Sequence, residues 1–227
     1  MTETKWPELP WDQVIDRVSP LVFRVYAGQS AGTAFIISCA PAKTSGRYSA
    51  ILATALHVLT DAVQTGDNVT LVSADKSRVF DSSIDEMRIQ ELGSAVHDTA
   101  MILLLSDRPI VQQDQLLPML PYEFMLPRGV EVGWLGFPGL VEPELCFFHG
   151  HISGYSSDPP MYLVDGVAIH GVSGCPAFDN RAHFIGLVSA YVPNVIDEST
   201  TLPGMSAIMP TNALRMFMQD FMKATVL

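Results

Sequence analysis

The sequence predicts an all-β protein, and three observations carry that expectation. Short apolar runs of strand length, rich in β-branched and aromatic residues, recur from Leu21 to Met209. Gly, Pro, Asp and Ser break them at close intervals, the texture of a sandwich or of barrels. Helical periodicity is confined to the two ends of the chain.

The elements follow in order. Trp11–Val18 reads as a short helix with Val14, Ile15 and Val18 on its buried face. After Ser19-Pro20, strands are expected at 21–26, 32–38, 48–54, 69–73, 87–92 and 99–105. Pro109 to Pro127 is proline-spaced and irregular, a connection between two halves with Leu116, Met119 and Leu120 as anchors. A second series of strands is expected at 130–135, 145–153, 161–164, 182–192 and 205–209. The end is helical: Leu214, Phe217, Met218, Phe221 and Met222 recur at i, i+3, i+4, i+7 and i+8, with Thr211 or Asn212 as the cap after Pro210. That stripe either packs on its own domain or docks on a partner.

Composition narrows the function. The 227 residues can bury one sizeable core, and 48% hydrophobic against 16% charged residues marks a globular chain. Acidic side chains outnumber basic ones 24 to 13, a net charge of −11, which argues against nucleic-acid and anionic-membrane partners. The first residues lack the basic and apolar regions of a secretory signal, and no apolar run approaches the roughly 18–20 residues of a spanning helix. Cys39, Cys146 and Cys175 are an odd number at unrelated spacings, poor material for disulfides. The expectation is a soluble cytoplasmic protein.

Three segments carry chemistry. Ala53-Thr-Ala-Leu-His57 places a histidine at the end of an apolar strand. His97-Asp98-Thr-Ala-Met-Ile places an aspartate at the start of one. Gly171-Val-Ser173-Gly-Cys-Pro176 holds a serine between glycines. Singly, each has an ordinary explanation: a packed histidine, a turn aspartate, a tight turn. Together they are what acyl transfer requires. A serine hydroxyl is a weak nucleophile until an imidazole takes its proton, and a carboxylate must hold that imidazole in one tautomer. The sharp Gly-flanked turn can aim the amides of Gly171 and Ser173 at one developing oxyanion.

In that order the motifs resemble the trypsin/chymotrypsin-like serine proteases, most closely the bacterial Deg (HtrA-type) branch, over about Trp11 to Met218. Thr54-Ala-Leu-His57-Val, Asp98-Thr-Ala and Gly171-Val-Ser173-Gly-Cys-Pro match the histidine, aspartate and nucleophile motifs. Ala31-Gly-Thr-Ala-Phe-Ile-Ile, Gly136-Phe-Pro, Gly150-His-Ile-Ser-Gly154, Gly186-Leu-Val-Ser-Ala and Ala207-Ile-Met-Pro support them. The resemblance implies two six-stranded antiparallel β-barrels with a C-terminal α-helix, in one peptidase domain spanning 1–227. Residues 1–114 would form the first barrel with its opening helix, 115–210 the second barrel and 211–224 the final helix. It also implies a protease unit without the PDZ domain that follows it in most Deg proteins.

By the same resemblance His57, Asp98 and Ser173 form the catalytic triad, and Gly171 and Ser173 supply the oxyanion hole. Ser189 steadies Asp98, and Ser189-Ala190-Tyr191 pairs with substrate backbone as an added strand. Val167 lies at the base of the specificity pocket, with Ala190 and residues near Met205 on its walls. His170 either tunes that pocket or is an exposed rim residue. With no acidic residue at Val167, cleavage after small-to-medium apolar residues is expected. Two departures matter: Val172 stands where secreted relatives carry the aspartate that pairs with a newly cleaved N-terminus, and Cys175 replaces the usual second glycine.

Cys146-Phe-Phe-His149-Gly-His151 puts two imidazoles on one strand face, but it has no evident fourth ligand and no standard zinc spacing, so neither metal nor cofactor is expected. The reading is a serine endopeptidase acting on protein or peptide substrates. The alternatives are a latent subunit needing an activating protein partner or a homo-oligomer, and a peptide-binding scaffold on a protease fold.

Overall fold

The computed structural model describes residues 7–42, 46–83, 89–92, 98–121, 124–139, 144–197, 200–212 and 214–215, with backbone alone at 89–92, 190–197 and 200–203. The opening helix α1 (Trp11–Val18) forms where expected, with Asp12 in its first turn and Arg17 in its last, both favourable to the helix dipole. Val14 and Val18 are buried, whereas Ile15 is only half-buried.

The first half is one antiparallel sheet of β1 (Val22–Ala27), β2 (Ser30–Pro41), β3 (Tyr48–Thr54), β4 (Val69–Ser73), β5 (Val79–Ser82), β6 (Ile89–Leu92) and β7 (Thr99–Ser106), in the order β5-β4-β1-β2-β3-β7-β6. It thus has seven strands where six were expected, and among the described residues its edges β5 and β6 do not meet. The unforeseen strand is β5, a short run (Val79, Phe80, Asp81, Ser82) that pairs back on β4 through a tight turn at Ala74–Lys76. The second half closes as a six-stranded barrel in the order β10-β13-β12-β11-β8-β9. Its strands are β8 (Glu131–Gly136), β9 (Cys146–Ser157), β10 (Pro160–Val164), β11 (Pro176–Asp179), β12 (Phe184–Asp197) and β13 (Thr200–Pro210). The two-barrel plan holds as one closed barrel and one open half-barrel.

Two elements depart from the sequence reading. His57 does not end a strand but opens a helix, α2 (Leu56–Thr65), which stops at Gly66 in the left-handed region (φ 76°). β11 was read only as part of the serine motif. The connection between the halves is irregular as expected, with one 3-10 turn at Gln113–Gln115. Leu120 enters the second core, while Leu116 and Met119 pack on the first.

Three apolar clusters hold the molecule together. The first sheet and α2 enclose Leu21, Phe23, Phe35, Ile36, Leu52 and Leu59, all essentially without solvent exposure. The second barrel encloses Trp134, Tyr162, Ile185 and Ile208. A third joins α1 to both halves: Val14 and Val18 pack with Val22 of β1 and with Leu135, Phe137 and Phe178 of the second half. Trp11 adds ring contacts to Phe147 at 5.2 Å and Phe178 at 6.1 Å. Burial of apolar area on this scale, at about 25 cal/mol per Å², fixes the two halves on each other. Residues 211–212 and 214–215 are helical, and Leu214 is buried in the first-half core. The rest of the expected terminal helix lies outside the described residues.

Candidate active site

β3 delivers His57. It ends at Thr54, Ala55 precedes the helix without a side-chain cap, and Leu56 and His57 form the first turn of α2. Their N–H groups have no partner within the helix and need one elsewhere. Asp98 supplies both acceptors: its carbonyl accepts from the Leu56 amide at 3.1 Å, and its Oδ1 accepts from the His57 amide at 2.9 Å. Asp98 sits at φ +36°, a left-handed conformation that aspartate tolerates better than most residues and that turns carbonyl and carboxylate toward α2 together. Its other oxygen, Oδ2, lies 2.8 Å from Nδ1 of His57 and accepts from Ser189 Oγ at 2.9 Å.

Ser189 reaches Asp98 because β12 bulges there. Val188 pairs with Ile208 and Ala190 with Ala207, so Ser189 is the extra residue of the ladder. Bulges commonly re-aim one side chain in this way.

The electrostatics follow from these bonds. Burial pushes the Asp98 carboxyl up, but the His57 ring, the His57 amide and Ser189 outweigh it, leaving the carboxyl below its ordinary range. The hydrogen bond to Asp98 outweighs desolvation at His57 and raises the imidazole above its ordinary 6.5. An ionised Asp98 can only accept, so Nδ1 carries the proton of the neutral ring and Nε2 is left as the base.

The Ser173 loop lies against the end of β3. A Cβ built on Gly174 would come within 2.3 Å of the Thr33 carbonyl, 2.5 Å of Thr54 Oγ1 and 2.6 Å of the Ala55 nitrogen, two residues before His57. Only glycine fits that approach, and its φ of +83° is likewise one that glycine adopts freely. His57 and Ser173 form no hydrogen bond among the described residues.

Four successive carbonyls of the loop are tied down. His170 accepts from the Gly139 amide at 2.7 Å, and Val172 from the Cys175 amide at 3.0 Å. Gly171 accepts from Thr33 Oγ1 at 2.9 Å, and Ser173 from the Thr33 amide at 3.0 Å. Peptide planarity then fixes the intervening N–H groups. With the carbonyls of 170 and 172 held elsewhere, the amides of Gly171 and Ser173 point away from them and donate to no acceptor among the described residues. Two unpaired donors beside an imidazole–carboxylate pair can hold a negative oxygen. Thr33, Gly139 and the Cys175 amide had no assigned role in the sequence reading. Ala31-Gly-Thr-Ala was visible there only as a strand.

The remaining expected site residues are spread around this centre. Val164 pairs with Ser206, and Ser206 with Tyr191, so three strands set the start of the Val167 loop in one row with the outer part of β12. Ser206 Oγ, fully buried, donates to the Gly166 carbonyl at 2.7 Å. Val167 and Met205 are exposed large apolar residues, 42% and 40% accessible. For Ala190 and Tyr191 the backbone alone is described. His170 is exposed, and it is its carbonyl that the loop uses. His149 and His151 face solvent on β9, with Nδ1 atoms 3.2 Å from Glu131 and 3.6 Å from Asp165. Among the described residues no group of three or more side chains could hold a metal ion.

Comparison with known proteins agrees with this architecture. No family model and no curated protein matches the chain. Solved structures do. A serine endoprotease from Yersinia pestis superposes with a TM-score of 0.70 at 17% identity, over 96% of this chain and 68% of that one. A variant of the HtrA-type protease AlgW, solved with a tripeptide, gives 0.68 at 20% identity, over 94% of this chain and 64% of that one. The chain thus spans about two thirds of the length of each. No helix among the described residues is long and apolar enough to cross a membrane. The ladder order, the Ser173 loop and these superpositions together assign the chain the trypsin-like double-barrel fold of the HtrA-type serine proteases.

Proposed function

We propose that this chain is a serine endopeptidase, a single peptidase domain over 1–227, with His57, Asp98 and Ser173 as its triad. The observation that carries the reading is the coincidence, at one place, of the Asp98-bound imidazole with a serine loop whose Gly171 and Ser173 amides are unpaired.

In this mechanism His57 Nε2 removes the proton of Ser173 Oγ as that oxygen bonds to the scissile carbonyl carbon. The carbonyl oxygen becomes negative and accepts from the Gly171 and Ser173 amides. Removing one donor of this kind typically costs about 3–4 kcal/mol of transition-state stabilisation. Asp98, bonded at Nδ1, stabilises the imidazolium without taking its proton. Collapse breaks the C–N bond, and His57 protonates the departing amine. Water then repeats the sequence on the acyl-enzyme, releasing the acid and restoring Ser173.

The substrate is an extended protein or peptide segment that adds a strand along Ser189-Ala190-Tyr191. Val167 favours small-to-medium apolar residues before the cleaved bond, since a charge buried there unpaired would cost several kcal/mol. The cytoplasm is the setting that the composition favours.

Labelling with a fluorophosphonate tests the reading. Rapid modification of Ser173, lost in Ser173→Ala with the fold intact, supports it. A folded protein that never labels, alone or with candidate partners, sinks it. One observation favours a second reading, that of a partner-activated subunit: His57 and Ser173 do not hydrogen-bond among the described residues. Labelling that appears only on adding a partner chain selects that version.

A further inference from the structure

We infer that Thr33 is a positioning residue for the oxyanion loop, an inference that rests on the endopeptidase reading above. Thr33 belongs to β2 of the first half, yet two of its three polar groups, the amide and the hydroxyl, bind across the join. Its amide donates to the Ser173 carbonyl, and its Oγ1 donates to the Gly171 carbonyl. That oxygen also accepts from the Phe137 amide at 3.1 Å, and its own carbonyl accepts from Thr54 Oγ1 at 2.7 Å. The residue is fully buried, so water cannot replace any of these partners.

The hydroxyl is the informative group. A hydroxyl can donate once while accepting, and here it joins the Phe137 N–H, just after β8, to the carbonyl of Gly171, whose φ of +94° only glycine adopts freely. It therefore fixes the peptide plane lying between the two oxyanion donors and references that plane to the barrel wall. Gly136 makes room for the arrangement. A Cβ there would stand 3.1 Å from Thr33 Oγ1 and 3.2 Å from the Val172 Cα. In secreted relatives, by the resemblance described above, a buried ion pair just before the nucleophile orders the loop. Here Val172 is apolar and 1% exposed, and Thr33 supplies the order from the other barrel.

The test compares Thr33→Val and Thr33→Ser with wild type, reading fluorophosphonate labelling rate and the kcat and KM of peptide hydrolysis. Thr33→Val keeps the shape and removes the hydroxyl. Its kcat and labelling rate should fall about 10- to 100-fold with KM within about threefold, part of the 10²–10³ that a lost oxyanion donor removes. Thr33→Ser should stay within about threefold of wild type. Ser73→Ala is the comparator for stability alone. That buried hydroxyl also takes a backbone N–H, from Arg78, and donates to Asp75, but its partners belong to the β4–β5 turn and none to the Ser173 loop. It should lower the melting temperature without changing kcat. Should Thr33→Val not fold, Gly136→Ala keeps the hydroxyl and crowds it, and should show the same kcat loss at unchanged KM. The inference is overturned if the folded variants lacking or crowding the hydroxyl keep kcat within threefold, or if serine does not rescue. A wild type that neither labels nor hydrolyses, alone or with candidate partners, removes the endopeptidase reading itself, and this inference with it.

Discussion

Ser189 Oγ donates to Asp98 Oδ2 at 2.9 Å, a bond that runs from the bulge of β12 in the second barrel to the residue just before β7 in the first half. The Asp98 carboxylate thereby serves three donors at once: the His57 ring, the His57 amide and Ser189. One side chain both ends a helix and orients an imidazole, and the two roles separate by substitution.

Asp98→Asn keeps an oxygen for the His57 amide, so α2 stays capped and the melting temperature should change little. The amide cannot enforce the same tautomer, and turnover should fall by roughly four orders of magnitude. Asp98→Ala loses the cap as well, which typically costs about 1 kcal/mol. Thermal melts and kcat on the same preparations check both. A kcat within tenfold of wild type in Asp98→Asn removes Asp98 from the orienting role.

The pH profile follows from the same pair. A base must be neutral to act, so with the imidazole raised above 6.5 the acid limb of kcat/KM should have its midpoint above that value. The stabilities run oppositely for the two groups. His57, raised, contributes below 6.5 and loses its contribution as pH rises through the folded-state value. Asp98, lowered, contributes above its ordinary 3.8 and loses its contribution as pH falls through its folded-state value. In Asp98→Asn the raising partner is gone while desolvation stays, so the imidazole should titrate below 6.5. Nuclear magnetic resonance of the His57 ring in a Ser173→Ala background measures it directly. An unchanged midpoint would mean that the carboxylate does not set this titration.

How much of this was legible beforehand differs by element. Strands with regular apolar content, such as β3 and β4, were readable to the residue, and so was α1. α2 was missed because Leu56-His57-Val58-Leu59 continues the apolar run of β3, and short runs do not separate strand from helix. Val58, Leu59 and Ala62 on one face, with Gly66 as the stop, were the available signal. The three side chains of the proposed triad could be named from local motifs, since that chemistry needs those residue types. The bonds that orient the loop could not. Thr33 and Gly139 act through backbone partners over a hundred and over thirty residues distant respectively, and nothing in a linear pattern marks such a bond.

Pocket chemistry gives the next prediction. Ser206 pins the Gly166 carbonyl, and Gly166 lies so close over Trp134 that a Cβ would come within 2.3 Å of the indole. The loop before Val167 is therefore rigidly seated, while Val167 itself stays accessible. Cleavage-site profiling with a peptide library should show Val, Ala, Leu or Met before the scissile bond. Val167→Asp should move the preference toward Arg and Lys, because a carboxylate there supplies the missing counter-charge. A wild-type profile dominated by Glu or Asp would instead make exposed His170 the determinant.

Activation should not need a new N-terminus. Val172 is packed among Trp134, Cys175 and Ala168 and offers no carboxylate to an incoming ammonium group. The loop it belongs to is already tied at four carbonyls by Gly139, Thr33 and Cys175. The N-terminal segment that is described runs elsewhere: the Leu9 amide donates to Asn180, and Glu8 pairs with Arg181 at the β11–β12 turn. None of the described residues before Trp11 bonds to the oxyanion loop, so full activity should not require trimming of residues 1–10. Single-turnover acylation of the intact protein should match that of an otherwise identical protein whose N-terminus is blocked by a fused domain. If the blocked form is silent and reacts only after cleavage exposes a free N-terminus, the ordering of Gly171–Ser173 depends on that terminus. The internal ties would then be a consequence of activation rather than its substitute.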